Sequence, residues 1–190
     1  MTSAVLLVWQ LVKNDQDART NADTRRSAEQ LASQLEAHIA TRLDVAEYLQ
    51  QEWLNGNINS KDAFQREANS VHRMLQDFQA INWVDPGGVI RWVTPYEGNE
   101  AAQGLDLRSL PVPGAILAEA ERTGRLQVTP PIKLAQGGDG FVAYIPLRKN
   151  GSIEGFLNIV FRTHTLIKGA FRDGIGDKYY GAVPDNAMRF

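Results

Sequence analysis

Chemistry on a protein needs side chains that ligate, attack or carry protons, and this 190-residue sequence places few of them at useful spacings. There is no cysteine, which removes thiolate metal sites, cysteine nucleophiles and disulfide frameworks together. His38 and His72 fall on helical stretches 34 residues apart and His164 follows a strand-like run, none with a second ligand at metal-binding spacing. Gly137-Gly138-Asp139-Gly140 is rich in glycine but joins two strand-like runs instead of opening a helix, so it lacks the converging amides of a phosphate cradle. No Gly-x-Ser-x-Gly elbow, P-loop or paired-carboxylate pattern occurs. The residue pattern predicts a domain that is not an enzyme, with no catalytic residue, no metal and no cofactor. Trp83 and Trp92 belong to facing strands and read as a cross-strand pair rather than a ligand platform. Glu97 and Glu100 sit in a polar loop and read as solvated.

Composition narrows the class further. Hydrophobic residues make up 43% of the chain against 22% charged, which is enough apolar material for a folded core. The formal net charge is −2, so nucleic acid is not expected as a partner. Arg19, Arg25 and Arg26 are interleaved with Asp15, Asp17 and Asp23 and read as a solvated face.

The elements that position these residues begin with an apolar run, Ala4 to Val12, broken only by Gln10. It is shorter than the roughly 20 residues that span a bilayer. Two readings fit it: the last turns of a transmembrane helix with Trp9 at the interface, or an apolar patch on a soluble helix. From Asn14 to Asn55 there is no Pro or Gly, and Leu31, Leu35, Ile39, Leu43, Ala46 and Trp53 keep one helical stripe. Such a stripe either pairs with a second copy, giving a homodimer through the stalk helix, or packs along its own domain. Asn55-Gly56-Asn57 ends the helix, and Ser60 caps a second one with a face of Phe64, Val71, Met74, Leu75 and Phe78.

Beyond Phe78 the period changes. Strands are expected at 79–84 and 89–94 around the turn Asp85-Pro86-Gly87-Gly88. A helix from about Val112 to Thr123 stops at Gly124. Further strands follow at 126–128, 132–135, 141–147 and 153–161, and a short helix at 165–171 closes the run. The expected fold class is α+β: a long N-terminal helical stalk, then a PAS-like five-stranded antiparallel sheet with a crossing helix and the helices on one side.

Residues in this part carry a family resemblance. Phe78-Gln79-Ala80-Ile81-Asn82-Trp83-Val84-Asp85-Pro86 with Val89-Ile90-Arg91-Trp92-Val93 resembles the first hairpin of bacterial CHASE domains. So do Gly98-Asn99-Glu100-Ala101-Ala102, Gly104-Leu105-Asp106-Leu107, Ala118-Glu119-Ala120 with Thr123-Gly124, Val128 to Leu134, Gly155-Phe156 and Val160-Phe161, in that order. The resemblance covers about Leu75 to Ile167. It implies a periplasmic sensor anchored by flanking transmembrane helices, binding a small-molecule ligand and driving a histidine kinase or a cyclic-di-GMP enzyme. The alternative is a ligand-free dimerisation or protein-interaction module of such a receptor. With the resemblance, residues 1–13 read as the end of a transmembrane helix, and 14–78 as the helical stalk with the second helix. Residues 79–175 then form the PAS-like lobe, and 176–190 are a remnant of a proximal lobe.

CHASE domains are in turn similar to the sensor of plant cytokinin receptors, and that likeness implies a site. Asp106 falls where those receptors have an adenine-binding aspartate, and Val128, before Thr129-Pro130, falls where they offer backbone hydrogen bonds. Thr94, Thr129, Tyr144 and Ile159 complete the implied pocket. Ile159 is a departure, since the plant receptors have a small residue there and a branched one disfavours a ligand of that size. The residue type of Asp106 supports a second reading equally, a cap or Asx turn ahead of the crossing helix.

Overall fold

The computed structural model describes residues 29–174 except Leu31, Leu35 and Gln76, so the expectations for 1–13, for 176–190 and for those two leucines lie outside it. The chain divides into two units, 1–38 and 39–190. In the first, residues 29, 30, 32–34 and 36–38 are helical.

The second unit opens with helix α1, residues 39–54. After it, Ser60 begins α2 (Lys61–Met74) by accepting a hydrogen bond from the Ala63 amide at 3.2 Å, the capping expected of a serine at that position. Phe64, Ala68 and Val71 are its buried face. Met74, placed on that face by its spacing, is 70% exposed, because α2 ends there and the chain turns into the sheet.

Strands β1 (Phe78–Val84) and β2 (Ile90–Thr94) form the first hairpin, with Asp85 Oδ1 accepting from the Val89 amide at 2.9 Å across the turn. Helix α3 (Pro111–Thr123) starts with proline at its first position and stops at Gly124, whose φ of 68° is left-handed. Then come β3 (Gln127–Val128), β4 (Ile132–Lys133), β5 (Asp139–Lys149), β6 (Ser152–Arg162) and α4 (Thr163–Gly174). The sheet is antiparallel with the order β2-β1-β6-β5-β3, and β4 also pairs with β5. It therefore has six strands in five positions, the fifth shared by the two short strands. The fold is α+β, as expected.

The expectation that the helices lie on one side is corrected. Strand side chains alternate between faces, and each face has its own helices. On one, Trp83 and Trp92 stack at 4.3 Å between ring centroids, confirming the cross-strand pair. Trp53 of α1 lies on Trp83 at 5.8 Å, and Phe64 of α2 meets Trp92 at 5.5 Å. Trp53 Nε1 donates to Glu154 at 2.9 Å, and Ala46 and Leu49 are fully buried. Ala46 and Trp53 are thus used within the chain, as in the reading of a stripe that packs along its own domain. Gly155 permits the close passage of β6 here: its φ is +147°, and a Cβ would stand 2.5 Å from the Val84 carbonyl oxygen. On the opposite face, Leu117 and Ala120 of α3 join Ala80, Val84, Ile90, Val93, Phe156 and Val160 in a second core.

Candidate functional site

The α3 face of the sheet contains polar residues where the opposite face is aromatic. Asn82 of β1, Asn158 of β6 and Tyr144 of β5 stand in one cross-strand row, Asn82 opposite Asn158 and Asn158 opposite Tyr144. All three are buried, at 0%, 2% and 1% exposure. Asn82 Nδ2 donates to Asn158 Oδ1 at 2.7 Å. Burial pushes the Tyr144 hydroxyl far above the usual phenol range, and a hydrogen bond with Asn158 offsets this only in part, so the phenol stays neutral. Asn82 Oδ1 has no partner.

This row is the floor of a cavity of about 60 Å3. The roof comes from Leu105 and Leu107, then Leu110 and Pro113 at the start of α3, and residues 132–136 of β4 and the turn after it. Val142 and Val160 complete the floor. The wall is apolar apart from the asparagine and tyrosine groups, Gln136 and Lys133. A carbonyl oxygen held without a donor in such a place is unusual, since buried polar groups are nearly always paired. The arrangement can accept a hydrogen bond from a small guest and enclose its apolar part.

Of the six residues implied from sequence, the structure places Tyr144 in this cavity and the others elsewhere. Thr94, Ile159 and Val128 lie in the neighbouring cross-strand row, running Thr94–Ile81–Ile159–Ala143–Val128. That row is one residue from Asn82 and Asn158 along each strand, and so on the face that carries the tryptophans. The Thr94 hydroxyl is buried there without a partner, and Val128 is 37% exposed on the sheet edge. Thr129 is buried with its hydroxyl accepting from the Val142 amide at 3.0 Å, a bond that extends the ladder. Asp106 is exposed, and its Oδ1 accepts from the Arg108 amide at 2.9 Å as the cap of a short 3-10 turn, Leu107–Ser109. Its neighbours Leu105 and Leu107 line the cavity.

Asn82 and Asn158 were missed. The signal for them is local: asparagine is depleted from strands, yet each interrupts an apolar run, Ala80-Ile81-Asn82-Trp83-Val84 and Phe156-Leu157-Asn158-Ile159-Val160. Among the described residues, no group of three or more His, Asp or Glu is placed to hold a metal ion. No described helix is long and apolar enough to cross a membrane.

No curated protein sequence matches the chain. Among solved structures, the ligand-binding domain of the Pseudomonas aeruginosa amino-acid chemoreceptor PctC, in complex with GABA, is similar at a TM-score of 0.58 and 21% identity. That match covers 72% of this chain and 60% of the other. The ligand-binding domain of the Campylobacter jejuni chemoreceptor Tlp3, in complex with 4-methylisoleucine, gives 0.55 and 13%, covering 73% and 56%. The sensor domain of the Vibrio cholerae histidine kinase DctB gives 0.54 and 14%, covering 76% and 58%. The chain thus spans under two thirds of the length of these structures, and at such identities the likeness is one of fold. The model of the CHASE domain family matches residues 31–182, four fifths of the sequence. An antiparallel sheet with a cavity over its central strands fits that match, and the chain belongs to the CHASE domain family of extracytoplasmic ligand-sensing domains.

Proposed function

We propose that this domain senses a small molecule in the cavity between the Asn82–Asn158–Tyr144 row and α3. Its setting is a membrane receptor with flanking transmembrane helices, a homodimer through the stalk helix and a histidine kinase or cyclic-di-GMP output. One observation carries the reading: the buried, unpartnered Asn82 Oδ1 on a residue that lines a cavity with a mostly apolar wall. A buried acceptor without a donor costs about 1–3 kcal/mol, a cost that a bound donor removes. The solved neighbours support the reading, since those in complex with GABA and 4-methylisoleucine use the same fold. The cavity is far smaller than the roughly 300–1,000 Å3 of pockets for drug-sized ligands, so the ligand is small or the roof opens to admit it.

A thermal-shift screen of small metabolites on the whole chain tests this, run beside the cavity-filling variant Val142→Phe. A ligand at a hundredfold excess over its Kd adds about 2.7 kcal/mol, roughly 5–10 °C in Tm for a chain of this size. The expected hit stabilises the wild type and leaves Val142→Phe unmoved. Equal stabilisation of both would place the ligand outside the cavity and end the proposal.

A further inference from the structure

The charge of the cavity wall indicates the class of guest, an inference that rests on the reading of the cavity as the ligand site. Among the residues lining it, Lys133 is the one with a formally charged side chain. Its side chain is 81% exposed, and its Nζ lies 2.7 Å from Asp139 Oδ1, so it is already solvated and paired. The floor groups are neutral: two amides and a phenol kept protonated by burial. The one unsatisfied atom, Asn82 Oδ1, is an acceptor with no formal charge.

An ammonium or carboxylate group moved into this space would leave its hydration shell and meet no opposite charge that is not already paired. That is strongly unfavourable for an ion, and an amide oxygen compensates it only in part. A neutral N–H donor loses much less water and gains the bond that Asn82 lacks. We propose that the cavity selects a small, uncharged molecule bearing an N–H donor, of the primary amide class, and rejects free amino acids, amines and carboxylic acids. GABA and 4-methylisoleucine, the molecules in complex with two similar folds, are charged and fall outside this class.

Side-chain amide resonances of Asn82 and Asn158 in the 15N-labelled chain report on the floor directly. Titrations with acetamide, acetate, ethylammonium and glycine separate the classes at nearly constant size. Acetamide is expected to shift both resonances, with the charged probes at least about a hundredfold weaker, the discrimination expected for unpaired ions in an apolar site. In Asn82→Asp, which keeps the shape and adds a carboxylate, the preference is expected to turn to ethylammonium. If glycine or ethylammonium shifts the wild-type resonances as strongly as acetamide, the class is wrong while the cavity remains the site. If no probe shifts them, both the class and the cavity reading fail.

Discussion

The Asn82–Asn158 pair makes an asymmetric prediction, because the two residues share one bond but differ in what else depends on them. Asn158→Leu removes the acceptor for Asn82 Nδ2 and the side chain hydrogen-bonded to the Tyr144 hydroxyl. Two buried polar groups are then stranded, each at about 1–3 kcal/mol, so the loss is roughly 2–6 kcal/mol. Asn82→Leu leaves Asn158 Oδ1 without its donor, but it also deletes Asn82 Oδ1, which already lacks a partner. One unsatisfied acceptor replaces another, and the net change is expected within about 1 kcal/mol. For a domain of this size the first substitution lowers Tm by roughly 5–20 °C and the second by no more than about 4 °C. Urea melts of both variants, compared with the wild type at equal m-value, provide the measurement. If Asn82→Leu is as destabilising as Asn158→Leu, Asn82 Oδ1 is satisfied in solution and the premise of an idle acceptor is refuted.

Two further expectations follow from single side chains. Asp106→Ala should cost about 0.5–1 kcal/mol, the loss of one exposed cap, and leave ligand binding unchanged in the same thermal-shift assay. Burial holds the His72 imidazole below its ordinary range, against a backbone hydrogen bond at Phe78 that raises it. Its folded pKa is therefore depressed, so its contribution is present above the ordinary value of 6.5 and is lost as pH falls through the folded pKa. His72→Gln should flatten that acid limb of stability in denaturant melts across pH 4–8, and an unchanged limb would assign it to other groups.

Much of the fold was legible because its boundaries rest on residues with one local meaning. Ser60, the Asp85-Pro86-Gly87-Gly88 turn and Gly124 each mark an end that the structure confirms. The helical stripe was legible as a pattern but not as a partner: periodicity reports that a face is covered, not by what, and Trp53 meets Trp83 from 30 residues away in sequence. The site was harder for a reason specific to strands. The residues that the resemblance implied, Thr94, Ile159 and Val128, share one cross-strand row, and that row lies on the face of the sheet opposite the cavity. With a side-chain period of two, a one-residue offset moves every member of a row to the other face at once. Asp106 shows the opposite case, since its residue type alone supported the cap that the structure contains.

The cavity is assembled from two kinds of chain. Its floor lies on β1, β6 and β5, held by the paired centre of the sheet, while its roof hangs on the segments 105–113 and 132–136. Loops accept insertions and exchanges that central strands do not. The anchor atom and the shape around it can therefore diverge at different rates, and a library confined to the roof would be the natural way to turn this domain into a genetically encoded reporter for a chosen metabolite.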